Sequence, residues 1–204
     1  KRIAQHLNKK IEIQDMSFET IIPYVSKTHK NVIAISSISI TSDRQKLIDY
    51  SIPYYFSNVG VLRHKHTQLD LQDSFKGTLG VQVGSTLENI AKTYQVLHKD
   101  LKLKAYYKMD DIINDLLTYK IDGTLIEETP GIVYEEAYKW SLFFKRLKET
   151  HLAYAIILPK NSKLKSRIDD IIKQLQQIGV LNALAYKWFV SPKKHDSELV
   201  VAEI

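Results

Sequence analysis

Apolar runs of strand length alternate along this chain with segments whose apolar residues recur at helical spacing. The continuous run Val32–Ile35 is typical of a buried parallel strand. It follows a helical segment that Ser17 can cap, with apolar residues at Ile21, Ile22 and Val25. Further strand-like runs are found at Ile11–Ile13, Val59–Leu62, Leu79–Val83, Thr124–Ile126 and Ala153–Leu158. This alternation predicts an α/β fold.

Other helices are predicted from the spacing of their apolar residues. They lie at Ile3–Leu7, Ile112–Leu117, Leu164–Leu175 and Leu181–Trp188. Asp110 or Asp111 can cap the second of these helices, and Gly179 can end the third.

Composition limits what this alternation can build. With 204 residues, 44% of them hydrophobic and 25% charged, the chain can form one large domain or two small lobes. The absence of Cys excludes disulfides, zinc–thiolate sites and thiol nucleophiles, and no apolar run approaches the roughly 20 residues of a membrane span. The formal charge of +6 comes from basic residues spread over helix faces and loops, so we predict no nucleic-acid partner.

A hydroxyl-rich segment follows the predicted strand Val32–Ile35. Ser36, Ser37 and Ser39 precede Arg44 at the carboxyl end of that strand, which is where open α/β sheets bind ligands. Arg44 offers a planar fork that can bind a carboxylate through two hydrogen bonds, and hydroxyl and backbone N–H groups can complete an anion site. The alternative is a Ser/Thr-rich turn with a surface arginine.

Two further segments combine a predicted strand end with polar side chains. Gly84, Ser85 and Thr86 lie at a strand-to-helix junction, where helix amides can bind an anion, although helix capping is the commoner role. Glu127 and Glu128 follow another strand, and a carboxylate there could hold an ammonium group. Alternation along the chain predicts that one of them points inward and the other outward. Neighbours of this kind do not form the pair of a glycosidase.

The remaining chemistry-bearing residues favour structural roles. His64 and His66 have the spacing of one strand face, but no third ligand lies nearby in the sequence, so we predict exposed polar positions and no metal site. Phe18 and the run Tyr54–Phe56 are expected in the core, with ligand stacking as the alternative. The seven His residues include no convincing nucleophile–base pair, so the sequence predicts no enzyme and no cofactor.

Several short motifs occur in an order shared with a known family. The first three are SFETIIP at residues 17–23, ISSISITSDR at 35–44 and DYSIPYY at 49–55. Later ones are VQVGST at 81–86, KIDGT at 120–124, GVL at 179–181 and YKWF at 186–189. From Lys1 to about Val190 the chain resembles the polar amino-acid-binding proteins of bacterial ABC importers, which are solute-binding proteins of family 3 with a periplasmic binding protein type II fold.

The resemblance implies two α/β lobes that close over one amino acid. Each lobe is an open, mostly parallel sheet flanked by helices, and two crossing strands join the lobes. On this pattern lobe 1 comprises residues 1–62 and 154–190, and lobe 2 comprises residues 63–153. The hinge strands are expected near Leu62–His66 and Thr150–Tyr154.

The resemblance also implies roles for individual residues. The arginine that matches Arg44 clamps the ligand α-carboxylate, helped by Thr86 and by groups at Ser37 and Ser39. The aromatic residue that matches Phe18 packs on the ligand side chain. Other candidate ligand-binding residues are Ser36, Gln82 and Ser85.

An acidic residue of the second lobe holds the ligand α-ammonium in the family. Counting from Asp122 assigns that role to Glu127, whereas aligning on Thr129-Pro130 assigns it to Glu128. In either case Glu stands where the family has Asp.

The function implied is the substrate-binding component of an amino-acid ABC transporter. Its partners would be a free amino acid and a membrane permease, and we predict a monomer. The run Ser36–Ser39 resembles the lysine/arginine/ornithine binders more than the dicarboxylate binders, which favours a polar or cationic ligand such as arginine, lysine or glutamine. The alternatives are a degenerate or enzymatic relative, such as a dehydratase or cell-wall lyase domain, or a ligand-sensing domain.

The two ends of the chain carry further predictions. No signal segment precedes Lys1-Arg2, so either a mature or trimmed chain or a cytosolic protein is expected. The resemblance implies a periplasmic location or a lipid-anchored one outside the membrane. The family's usual first strand is missing from lobe 1. We predict that the tail 191–204, through Leu199–Ala202, supplies a strand in its place.

Overall fold

The structure is a computed structural model that describes residues 1–28, 32–67 and 76–190. In chain order its elements are α1 (Arg2–His6), α2 (Phe18–Lys27), α3 (Ser42–Gln45), β1 (Ile48–His64), β2 (Gly77–Gln82), α4 (Thr86–Leu97), β3 (Leu101–Tyr106), α5 (Met109–Leu117), β4 (Gly123–Glu127), α6 (Glu128–Ala137), β5 (Leu142–Pro159), α7 (Lys165–Gln177), α8 (Val180–Ala185) and a π-helix at Tyr186–Val190. The predicted α/β fold is therefore confirmed. None of the helices in these described ranges is long and apolar enough to cross a membrane.

The chain divides into two compact units. Unit 1 consists of Lys1–Asp15, Ile22–Tyr55 and the described chain from Ala153 onward. Unit 2 consists of Met16–Ile21 and Phe56–Leu152. The long strands β1 and β5 each contribute residues to both units, because the divisions fall within them.

Unit 2 contains a sheet in the order β3-β2-β4-β1-β5. Strand β2 is parallel to both β3 and β4, whereas β1 is antiparallel to β4. In the β1–β4 register Val59 lies opposite Glu127, and Gly60 lies opposite Ile126. The buried Thr124 hydroxyl donates to the Gly80 carbonyl at 2.9 Å, which joins β4 to β2. These contacts fix the end of β4, where Glu127 lies.

Helices cover both faces of this sheet. Val61 and Leu125 pack in one buried cluster with Ala91 of α4, whereas their chain neighbours Leu62 and Ile126 pack in another with α5. Because successive strand residues point to opposite faces, the two clusters lie on opposite sides of the sheet. Each fully buried Leu or Ile contributes about 1.5–3 kcal/mol by leaving water. The alternation in the sequence thus builds a three-layer unit.

Unit 1 is organised around α7 and the portions of β1 and β5 that it contains. Ile156 and Leu158 of β5 pack with Ile168 and Ile172 of α7 in a buried cluster. The predicted helix at Leu164–Leu175 is confirmed, and it ends before Gly179, whose φ of +74° is the left-handed conformation that glycine adopts without strain.

Two predicted strands are wrong. Val32–Ile35 forms no regular strand, since its pairing is one isolated antiparallel bridge between Ala34 and Ile157, and the run is half-buried. Ile11–Ile13 has no regular secondary structure, and Ile11 and Ile13 are both exposed. An apolar run becomes a strand only where a neighbour offers a continuous ladder, which these two runs lack.

Other predictions need smaller corrections. Lys108 is the N-cap residue of α5, so Asp110 and Asp111 lie within its first turn, where they favour the positive end of the helix dipole, and do not cap it. The two units divide β1 between Tyr55 and Phe56, and the hinge near Leu62–His66 stays a prediction. The tail 191–204, with its predicted strand, lies outside the described residues.

Candidate functional site

In unit 1, the predicted anion site surrounds the short helix α3. Thr41 caps it, and the Thr41 hydroxyl accepts from the Arg44 backbone N–H at 3.3 Å. The Arg44 guanidinium is half-buried, and its Nη1 donates to the Ser39 carbonyl at 3.1 Å. The Tyr50 hydroxyl donates to the same carbonyl at 2.9 Å. The bond from Nη1 to the Ser39 carbonyl orients the guanidinium.

The serines before Arg44 divide into two roles. Ser39 is buried, and its carbonyl accepts the hydrogen bond from Arg44. Ser36 and Ser37 are exposed. Ser37 has a φ of +47°, a left-handed conformation that costs a residue with a side chain about 1–2 kcal/mol. Strained backbone of this kind is concentrated at functional sites, so Ser37 is a candidate for direct ligand contact.

Two tyrosines of β1 support the same segment as neutral phenols. Burial raises the pKa of Tyr50 above its ordinary value, although the positive charge of Arg44 opposes the rise. Burial likewise raises the pKa of Tyr54 to about 12. Tyr50 lies in the motif DYSIPYY, but the sequence does not indicate its part in this site, because its hydrogen bond to Ser39 joins residues 11 positions apart.

In unit 2, the junction between β2 and α4 combines capping with a buried hydroxyl. Ser85 caps α4, with its hydroxyl accepting from the Glu88 N–H at 3.0 Å, and Glu88 in turn accepts from the Gly84 N–H at 2.7 Å. The Thr86 hydroxyl oxygen is buried and has no hydrogen-bond partner among the described residues. The Ser85 side chain therefore caps α4, whereas the Thr86 hydroxyl could form a hydrogen bond with a ligand.

The start of α2 lies against this junction. A Cβ atom placed on Gly84, which has a φ of +75°, would lie 3.1 Å from the Glu19 Cα. The half-buried Phe18 precedes Glu19, so unit 2 brings the predicted aromatic residue near the start of α4. Gln82 is also half-buried, and its amide donates to the Tyr107 carbonyl at 3.2 Å.

The adjacent carboxylates at the end of β4 have different surroundings. Glu127 is the last residue of β4 and the N-cap residue of α6, and it is half-buried. Glu128 begins α6, where its Oε2 accepts from Asn58 Nδ2 at 2.6 Å and its Oε1 lies 3.6 Å from Arg146 Nη1. No sequence signal indicates Asn58 or Arg146, because each is distant from Glu128 in the chain or lies in no motif.

The predicted histidine positions are only partly correct. His66 is exposed, but His64 is buried, with its ring 4.2 Å from the ring of Tyr119 between centroids. The His64 Nδ1 accepts from the His66 backbone N–H at 3.3 Å. Over the part of the chain that the structure describes, no group of three or more His, Asp or Glu side chains could hold a metal ion.

The structure thus gathers the predicted residues into two groups, one in each unit. Unit 1 holds Ser36, Ser37, Ser39 and Arg44, and unit 2 holds Phe18, Gln82, Ser85, Thr86, Glu127 and Glu128. Each group lies around the start of a helix or the end of a strand, where backbone polar groups lack regular partners.

The fold and these residues define a two-unit α/β binding protein. The family of bacterial extracellular solute-binding proteins, family 3, matches residues 1–191, and the chain belongs to that family. The expected membership is therefore confirmed.

Relatives of this chain are amino-acid-binding proteins. The arginine-binding extracellular protein ArtP of Bacillus subtilis is 26% identical over 199 residues, which are 95% of this chain and 76% of the relative. ABC transporter arginine-binding protein 1 of Escherichia coli is 22% identical, over 93% of this chain and 78% of the relative.

Solved structures agree with this placement. AbpA, an amino acid ABC transporter substrate-binding protein from Streptococcus pneumoniae bound to L-arginine, is 28% identical with a TM-score of 0.83, covering 92% of this chain and 80% of that one. The ancestral amino-acid-binding protein AncCDT-1, a precursor of cyclohexadienyl dehydratase, has a TM-score of 0.80 at 21% identity, covering 92% of this chain and 81% of that one, and shares the fold.

Proposed function

We propose that this chain is the substrate-binding component of an amino-acid ABC transporter and that it captures a polar or cationic amino acid, arginine first among the candidates. Family membership and the arginine-binding relatives support the class of ligand. The observation that carries the proposal is the half-buried Arg44, whose guanidinium donates to the Ser39 carbonyl. The exposed Ser36 and Ser37 belong to the same segment.

Arg44 is proposed to bind the ligand α-carboxylate. A guanidinium fork and a carboxylate match in geometry and form paired charge-assisted hydrogen bonds. The buried Thr86 hydroxyl would supply a further donor, and Phe18 would pack on the ligand side chain.

Glu127 is proposed to bind the α-ammonium, because it is the half-buried last residue of β4 and the position that counting from Asp122 assigns to that role. The two oxygens of Glu128 face Asn58 Nδ2 and Arg146 Nη1, so we propose a supporting role for Glu128.

The residue proposed to bind the α-carboxylate, Arg44, belongs to unit 1. The residue proposed to bind the α-ammonium, Glu127, belongs to unit 2. The liganded protein would then deliver the amino acid to a membrane permease outside the cytoplasm. Binding without turnover by a monomer is part of the proposal.

Calorimetric titration with the twenty amino acids, combined with chromatography of the recovered ligand, tests this function. Arginine or another polar or cationic amino acid should bind and be recovered unchanged. A chemically altered product would favour the enzymatic alternative, and binding of none of the twenty would refute the proposal.

Replacing Arg44 tests the site itself. Arg44→Ala should fold but lose about 2–5 kcal/mol of arginine affinity, because the ligand carboxylate loses its charged partner. Arg167→Ala is the matched control, since Arg167 is an exposed arginine of α7 in the same unit. Parent-like affinity in Arg44→Ala would show that the site lies elsewhere.

A further inference from the structure

Helix α6 begins directly after Glu127 and rests on two strands of unit 2 at two defined places. We call this contact region the α6 seat. It comprises Asn58 and Gly60 of β1, Phe144 and Arg146 of β5, and Glu128 and Gly131 of α6.

The apolar half of the seat depends on two glycines that face one ring. A Cβ atom on either Gly60 or Gly131 would overlap with the ring of Phe144. Neither glycine has a positive φ, so both are needed for space and not for backbone conformation. Glycine is disfavoured inside a helix, and its presence at position 131 therefore has a packing reason.

The polar half of the seat holds the first residue of α6. Glu128 accepts from Asn58 at 2.6 Å and lies 3.6 Å from Arg146, with 28% of its side chain exposed. Residues 58 and 60 share one face of β1, and residues 144 and 146 share one face of β5, because strand side chains alternate. Residues 128 and 131 likewise share one face of α6. The helix is thus held at two points, one apolar and one polar, on one face of the sheet.

The seat fixes the residue that precedes the helix. Glu127 is the N-cap of α6. In the β1–β4 register it lies opposite Val59, which is the residue between Asn58 and Gly60. Any displacement of α6 away from Phe144 would also move the backbone of Glu127, because Glu127 directly precedes the helix. A binding group loses much of its effect when it is misplaced by about 1 Å.

We propose that the α6 seat positions the Glu127 carboxylate for the ligand ammonium, with Gly131 and Glu128 as positioning residues that do not themselves touch the ligand. This inference rests on the proposed function. It explains why Glu128 contacts Asn58 and Arg146 and why a glycine lies within the helix that begins at Glu128.

The test measures arginine affinity by calorimetry on the full chain. Gly131→Ala should lower the affinity at least about tenfold, because the added methyl group pushes α6 from Phe144. Adding Phe144→Val removes the overlapping ring atoms and should restore the affinity to within about threefold. Ile132→Ala is the matched control, since Ile132 is an exposed neighbour on the same helix, and it should stay within about twofold of the parent.

The Glu127→Gln variant distinguishes a loss of positioning from a general disturbance of the structure. In Glu127→Gln, where the charge to be positioned is gone, Gly131→Ala should change the affinity by less than about twofold. An equal loss in both backgrounds, a parent-like Gly131→Ala, or a double variant that is not rescued would overturn the inference.

Glu128→Gln decides the matter if Gly131→Ala does not fold, as judged by circular dichroism. It should lower arginine affinity less than Glu127→Gln does, and it should have no further effect in the Glu127→Gln background. A larger loss in Glu128→Gln would make Glu128 the ammonium ligand and overturn the inference while leaving the proposed function intact. If the parent binds no amino acid, the proposed function fails and the inference fails with it.

Discussion

Asp169 of α7 is predicted to be a major contributor to the stability of unit 1. Its Oδ1 accepts from the Ile52 backbone N–H of β1 at 2.8 Å, and its Oδ2 accepts from Lys165 Nζ at 2.6 Å. Asp169→Ala removes both acceptors at once. The Ile52 N–H is then left without its carboxylate partner in a half-buried part of the strand.

The size of the effect follows from these two bonds. A hydrogen bond to a charged carboxylate contributes about 1.5–3 kcal/mol, and its loss leaves a partly buried donor unsatisfied. The Lys165 pair adds only about 0.3–0.5 kcal/mol, because it is an i,i+4 pair whose lysine side chain is 41% exposed. We therefore expect the free energy of unfolding to fall by about 2–3 kcal/mol, a large part of the 5–15 kcal/mol of a typical domain.

Urea unfolding followed by circular dichroism measures this loss. With a slope of about 2–3 kcal/mol per molar urea, the midpoint should fall by about 1 M. Asp170→Ala is the control, because Asp170 is an exposed neighbour 3.9 Å from Lys173, and it should change the free energy of unfolding by less than about 0.5 kcal/mol. If Asp169→Ala unfolds at the same urea concentration as Asp170→Ala, the bond to Ile52 does not stabilise the unit as reasoned.

Two predictions concern pH. Burial, and then the neighbouring His66, lower the pKa of His64 below its ordinary value of 6.5. The unfolded chain therefore binds more protons there, so this contribution to stability is complete above about pH 6.5 and is lost as the pH falls below it; thermal unfolding of His64→Phe should lack that part of the pH dependence. Hydrogen bonds from Lys104 and then Tyr106 hold the pKa of Asp115 well below its usual value of 3.8. Its contribution is present above that value and is lost at lower pH, so Asp115→Asn should unfold at a lower temperature than the parent at neutral pH, and the difference should shrink in strong acid; a constant difference would contradict this account.

Local signals explain which parts of this structure the sequence could predict. The junction at Gly84–Thr86 combines a strand, a glycine and a capping serine within a few residues, and the structure has β2, the cap and α4 there. The end of β4 at Glu127 follows in the same way from an apolar run and the Thr129-Pro130 pair. These features depend on neighbours along the chain.

Features that depend on distant partners could not be predicted in this way. Val32–Ile35 has the composition of a buried strand, but only Ala34 finds a partner, in Ile157. His64 has the spacing of an exposed strand residue, yet Tyr119 covers it. Periodicity reports the preference of a segment, and only the tertiary neighbours decide whether that preference is met.

Carboxylates in this chain show why residue type alone does not assign a ligand. Asp169 and Glu88 each accept from a backbone N–H, and Glu128 accepts from a side-chain amide. Each of these carboxylates already accepts from a protein donor, and an ammonium ion that displaced this donor would cost about 1.5–3 kcal/mol, which is roughly tenfold or more in affinity. The resemblance offered Glu127 and Glu128 equally, because both fit an acidic position at a strand end. Our proposal treats Glu128, whose oxygens face Asn58 and Arg146, as part of the support for the neighbouring Glu127 carboxylate.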